Sequence, residues 1–193
     1  FKIKSKRQPN LLPWKKITKT VLSSKNSVNI AIIGKYVNLK DAYKSLDEAL
    51  THGGIKNNVK INLIRIESDY LKLSEVKKKL AGVNGILIPG GFGKRGTEGK
   101  IAAISYARKN KIPFLGICFG MQMAVIEFAR NVLKIKKASS TEISKQCIPI
   151  VGLIDEWSKN GKVQKGTSKK LGGTMRLGLY PARLKESSLI KKI

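Results

Sequence analysis

The sequence predicts an α/β fold: a doubly wound, mostly parallel sheet with helices on both faces. Three observations carry this. Short β-branched apolar runs alternate with helix-period stretches from residue 28 to residue 129. Two of these runs, 85–89 and 113–117, are apolar throughout and end in glycine-rich turns. The strands are spaced by helix-length segments, which implies βαβ units and right-handed crossovers.

The elements follow in order. Residues 1–27 are basic, carry Pro9 and Pro13, and show little periodicity, so they read as a linker in which Leu11, Leu12 and Trp14 could anchor on a surface. Val28–Gly34 is an apolar, β-branched strand. Asp41–His52 has helical spacing and is expected to stop at Gly53-Gly54. Val59–Ile66 alternates as a strand. Ser74–Leu80 reads as a short helix with Ser74 as N-cap. Gly85–Pro89 is a buried strand running into Gly90-Gly91-Phe92-Gly93, and Gly96–Lys109 is helical. Pro113–Ile117 is a strand, followed by a helix over Phe119–Ala129. Beyond Lys134 the pattern weakens. Pro149–Ile154 reads as a strand, Lys159–Lys170 as a charged loop and Leu171–Leu179 as an extended segment.

The chain has 193 residues and is 41% hydrophobic, enough for one well-cored domain. Two cysteines, Cys118 and Cys147, make no disulfide framework and no metal-ligand cluster, which fits a reducing, cytoplasmic setting. No run is long enough to span a membrane, and no metal is expected. The net charge of +27 is concentrated at the flanks. Residues 1–28 hold eight basic and no acidic residues, and residues 159–193 hold ten basic and one acidic. Charge of this kind attracts polyanions, but without a recognition motif it argues against specific nucleic-acid binding. The chain opens on Phe1 and ends on Ile193 without a closing element, so both ends read as interrupted.

The residues that carry chemistry are Gly116-Ile117-Cys118-Phe119-Gly120. A strand enters this turn and a helix leaves it, which is a nucleophile elbow with cysteine in place of serine. Flanking glycines let strand and helix approach around a strained backbone. A helix N-terminus favours the thiolate, the attacking form. In a doubly wound sheet the Gly90-Gly91 turn and this elbow lie at the same carboxyl edge and can face one another. The N–H groups of Gly91 and Phe119 are then candidate donors to an oxyanion.

With Arg95-Gly96-Thr97-Glu98-Gly99, these motifs resemble a class I glutamine amidotransferase, flavodoxin-like in fold. More narrowly, Gly34-Lys35-Tyr36, Asp41-Ala42-Tyr43-Lys44-Ser45, Ser140-Thr141-Glu142 and Gly172-Gly173-Thr174-Met175-Arg176-Leu177-Gly178 resemble the glutaminase half of the CTP synthases. The resemblance covers about residues 28–179 and makes residues 28–193 the amidotransferase domain, incomplete at its C-terminus.

It implies that Cys118 attacks glutamine to form a glutamyl thioester and release ammonia. It implies oxyanion donors at Gly91 and Phe119, and glutamine-binding roles for Gly90, Phe92, Gln122 and Glu142. Arg95 and Glu98 would lie in the loop that meets the activator GTP. No cofactor is implied for this domain. ATP and magnesium belong to a synthetase (amidoligase) domain, the expected partner, which aminates UTP to CTP in a homo-oligomeric enzyme.

One departure matters. The family carries its base as His-x-Glu after the Gly-Thr-Met-Arg-Leu-Gly stretch, whereas the only histidine here is His52. His52 is expected at the far end of the first helix, away from Cys118. The chain alone is therefore expected to be inactive, and the alternative is a non-catalytic relic acting as a binding or assembly module.

Overall fold

The computed structural model describes residues 9–154, 156–159, 162–165, 179 and 181–193. The chain divides into two compact units, one ending at Gly152 and one beginning at Leu153. In the first unit a helix α1 (Leu12–Ser23) precedes strand β1 (Ser27–Gly34). A 3-10 turn (Lys40–Tyr43) leads into α2 (Lys44–Lys56), then β2 (Lys60–Glu67) and α3 (Leu73–Lys79). There follow β3 (Gly85–Ile88), α4 (Thr97–Lys109), β4 (Phe114–Gly116), α5 (Phe119–Asn131), β5 (Ala138–Ser140) and β6 (Ile148–Val151).

Strands β1 to β4 form a parallel sheet in the order β2-β1-β3-β4. Alternate residues of β1 feed opposite faces, as the pleat requires. Ala31 and Ile33 join the larger core with Ile86, Ile88, Ile104, Phe119 and Met123. Ile32 packs the other way, with Val37 and Tyr43 and against Leu46 and Leu50 of α2. Helices therefore cover both faces, and the predicted fold class is observed. Each fully buried Ile contributes about 1.5–3 kcal/mol. The chain steps from β1 to β2 on one side and to β3 on the other, so the crevice beyond the ends of β1 and β3 is the topological switch point. Strands β5 and β6 pair in parallel, separately from the main sheet, and lie beside α5.

Several elements differ from the sequence reading. Residues 12–23 form α1 within the segment read as linker. Pro13 stands in its first turn, where proline suits a helix, and Asn10 Oδ1 accepts the Leu12 N–H at 3.1 Å. Leu11, Leu12 and Trp14 are exposed. Helix α2 runs through Gly53-Gly54 to Lys56. The reason for glycine at 54 is packing: a Cβ there would lie 2.6 Å from Ile61 Cγ1 and 2.7 Å from Val59 O. Ser74 is inside α3, whose N-cap is Lys72, with no side-chain cap. Strand β5 arises where no strand was expected.

In the second unit, β7 (Glu156–Lys159) and β8 (Lys162–Lys165) form an antiparallel hairpin whose second strand falls within the segment read as a charged loop, and α6 (Leu189–Lys192) is a short terminal helix. The expected extended segment 171–179 and the Gly172–Gly178 motif lie outside the described residues, except for Leu179. No helix among the described residues is long and apolar enough to cross a membrane.

Candidate active site

The elbow forms because β4 must turn sharply into α5 beside β3. The Ile117 N–H donates to Ile88 O at 2.9 Å, extending the ladder by one residue. Cys118 then takes φ 53° and ψ −107°. A non-glycine residue in that region is strained by about 1–3 kcal/mol and persists only where its surroundings enforce it. Here the Gly120 N–H donates to Ile117 O at 2.9 Å and the Gln122 N–H to Cys118 O at 3.2 Å. The glycines are sterically required: a Cβ on Gly116 would meet the Gly120 carbonyl carbon at 2.6 Å, and one on Gly120 would meet Ile88 O at 2.1 Å. The thiol of Cys118 is exposed.

The turn after β3 faces it. A Cβ on Gly90 would lie 3.6 Å from Cys118 Cβ, so the turn and the elbow stand in ordinary contact distance. Two side chains of opposite charge hold the turn. Lys35, just past the end of β1, donates from Nζ to Phe92 O and, at 3.2 Å, to Gly93 O. Glu142 accepts the Gly93 N–H at 2.5 Å, and Gly93 sits at φ +75°. Phe92 is 53% exposed. Lys35 is buried, which first, with the nearby Arg95 second, lowers its pKa below the ordinary lysine value; Asp69 and Glu142 oppose this.

Phe119 opens α5 with its side chain buried. Its N–H belongs to the first helical turn, where donors have no intrahelical acceptor. Two ammonium groups approach its ring, Lys100 Nζ at 5.0 Å and Lys35 Nζ at 5.7 Å from the centroid. Gln122 is half-buried, one turn beyond Cys118 and on the same side of α5. Arg95 pairs with Asp69 at 2.6 Å and lies over the Tyr36 ring at 5.6 Å. Glu98, on α4, turns instead to Arg130 at 2.9 Å.

The structure therefore brings Cys118, Gly90, Gly91, Phe92, Phe119 and Glu142 together at one edge, with Gln122 one turn along α5. Arg95 lies toward the switch point and Glu98 belongs to a separate ion pair. His52 is exposed, late in α2, which returns from the carboxyl edge of β1 to the amino edge of β2, the side of the sheet opposite Cys118. Sequence reasoning met Lys35 only within the Gly34-Lys35-Tyr36 motif and gave it no role, and it did not single out Lys100. Lys100 has a legible signal: it shares a helix face with Ala103 and Ala107, both buried. A cleft of about 440 Å³ runs beside the site between the start of α2 and Pro89, Gly90 and Ile117. A larger one of about 700 Å³ follows α4 past Asp69, Glu98 and Arg130, away from the cysteine. Among the described residues, no three His, Cys, Asp or Glu side chains cluster as metal ligands.

Comparison with known proteins identifies the family and the fold. The family model for glutamine amidotransferase class-I matches residues 38–191. The chain is 70% identical over its whole length to a CTP synthase of Pelagibacter ubique, of which it covers 36%. It is 50% identical over 96% of its length to a CTP synthase of Acidiphilium cryptum, of which it covers 34%. The chain thus spans about a third of the length of these curated relatives. Among solved structures it is similar to the Trypanosoma brucei CTPS glutaminase domain with bound acivicin. That match has TM-score 0.63 and 40% identity, and covers 67% of this chain and 51% of the other. With a cysteine elbow facing a glycine turn and a family match over most of its length, the chain belongs to the class-I glutamine amidotransferases.

Proposed function

We propose that the chain is the glutamine-hydrolysing part of a CTP synthase. The observation that carries the reading furthest is the strained Cys118, exposed and within contact distance of the Gly90-Gly91 turn. Glutamine binds between the turn and the elbow. The Cys118 thiolate adds to the γ-carbonyl carbon, and the N–H groups of Gly91 and Phe119 receive the oxyanion. As the intermediate collapses, the C–N bond breaks and the amide nitrogen takes a proton from water to leave as ammonia; a γ-glutamyl thioester remains, which a further water cleaves. Gly90 and Phe92 shape the pocket. Gln122 and Glu142 hold the amino-acid end of glutamine, the carboxylate of Glu142 suiting an α-ammonium.

Arg95, just before α4, and Glu98, in the first turn of α4 rather than in a loop, are the proposed contacts of the activator GTP. The ammonia would serve an ATP- and magnesium-dependent amination of UTP in a synthetase part, within a cytoplasmic homo-oligomer. This domain itself is proposed to need no cofactor or metal, and no specific nucleic acid.

A second reading, a non-catalytic binding or assembly module, is favoured by the position of the sole histidine, His52, on the far edge of the sheet. A base must come within hydrogen-bond reach of the group it serves. On the first reading the chain still forms a covalent adduct, since cysteine is intrinsically nucleophilic, but turns over poorly. The test is intact mass after incubation with acivicin. A single adduct that glutamine blocks and Cys118→Ala abolishes supports the glutaminase reading. A folded sample that stays unlabelled favours the module.

A further inference from the structure

Lys100 is among the largest fully buried side chains of the protein, at 1% exposure. Lysine is almost never buried so completely without an ion-pair partner. No ion pair involving Lys100 is found among the described residues. The Phe119 ring lies 5.0 Å from its Nζ, and a Cβ on Gly91 would lie 4.0 Å from it. The ammonium is therefore lodged behind the two residues whose N–H groups serve as oxyanion donors. On Gly90 the Cβ direction leads to Cys118, and on Gly91 it leads to Lys100. The glycine turn is thus a thin wall, with the thiol on one side and a buried cation on the other.

We propose that Lys100 is a positioning residue for acyl transfer at Cys118, and that its buried ammonium aligns the Gly91 and Phe119 donors and supplies positive potential behind the oxyanion. This rests on the glutaminase reading above. The cation is held by the face of the Phe119 ring, an attraction that strengthens when water is excluded. It does not touch the substrate and transfers no proton. Its effect is felt when the thiolate adds to the γ-carbonyl and negative charge moves onto oxygen, the stage at which preorganised electrostatics count most.

The placement also predicts a pH signature. The charged groups around Lys100 are Lys35 beyond β1, Asp69 beyond β2 and Arg95 before α4. Burial first, then Lys35, lowers the Lys100 pKa to about 8, with Asp69 opposing. The cation is present below about 8 and lost above it.

The test uses the γ-p-nitrophenyl ester of glutamate. Addition of the thiolate and loss of p-nitrophenolate form the thioester, and this leaving group needs no proton. The burst of p-nitrophenolate reads acylation directly. Iodoacetamide, which reacts at a saturated carbon and develops no oxyanion, is the control. Lys100→Met is expected to slow the burst about tenfold at pH 7, less than the loss of a direct donor costs. Iodoacetamide labelling stays unchanged and Lys100→Arg recovers part of the rate. The ratio of parent to Lys100→Met rates cancels the common cysteine titration and falls toward one above pH 8.

Lys100→Met should also melt above the parent below pH 8. The unfolded chain binds the Lys100 proton more tightly, so the buried cation costs stability there, and the cost fades as pH rises. Equal bursts, a ratio independent of pH, or an equal slowing with iodoacetamide would overturn the role of Lys100. A parent chain with no Cys118-dependent burst would overturn the glutaminase reading along with it.

Discussion

The two glycine turns at the sheet edge use glycine for different reasons. In the elbow, Gly116 and Gly120 have no room for a side chain, because a Cβ on either would meet backbone at 2.6 Å or 2.1 Å. In the turn after β3, a Cβ on Gly90 or Gly91 would meet side-chain atoms only, at 3.6 Å and 4.0 Å. The elbow glycines are explained by the protein itself. Those of the β3 turn are not, since an alanine would fit. What they leave is open backbone opposite the thiol, which is what a bound substrate and an N–H donor need. On the proposed function, the elbow glycines serve the fold and the turn glycines serve a ligand.

A series of glycine substitutions separates these roles. Gly120→Ala forces β3 and α5 apart and should cost about 3 kcal/mol or prevent folding, read by urea denaturation. A loss under about 1 kcal/mol would remove the distinction between the turns. Gly90→Ala should leave stability within about 1 kcal/mol. It should nevertheless slow acivicin labelling of Cys118 by about tenfold, because the new methyl group occupies substrate space.

Gly82 provides a third class. It sits at φ +74° with nothing near its Cβ direction, so Gly82→Ala should cost about 1 kcal/mol through backbone strain alone and leave labelling intact. Gly53, exposed inside α2 with open space around it, should gain about 0.5–1 kcal/mol on replacement by alanine, a small rise in melting temperature. Labelling that fell with Gly82→Ala or Gly53→Ala would show that the site responds to general destabilisation and would blunt the contrast.

The same contrast explains what could be read from the sequence. Strands β1 to β4 and the helices α2 to α5 are recoverable because burial on a pleated or helical face writes a period into the chain. The elbow is recoverable because its glycines and cysteine adjoin in sequence. Gly53-Gly54 misled because glycine at a helix end and glycine at a close crossing look alike in one dimension, and only the approach of Ile61 separates them. Helix α1 was missed because Pro13 signals a break as readily as a first turn. Strand β5, Ala-Ser-Ser, has almost no strand propensity and is formed by its neighbours β6 and α5. The grips of Lys35 and Glu142 on the glycine turn were invisible for another reason. They join residues 58 and 49 positions apart, and a lysine in a strand-end motif carries no mark of being buried.

That last distance has a consequence for how the protein is made. The turn after β3 is fastened at Gly93 by a carboxylate that follows it by 49 positions, after α4, β4 and α5 have intervened. Synthesis runs from the amino end, so the sheet can be laid down while the turn still lacks one of its two fastenings. The edge that carries Cys118 then acquires its final shape after the scaffold, when Glu142 emerges. Any nascent chain stopped short of that residue would carry Cys118 without the fixed wall it faces.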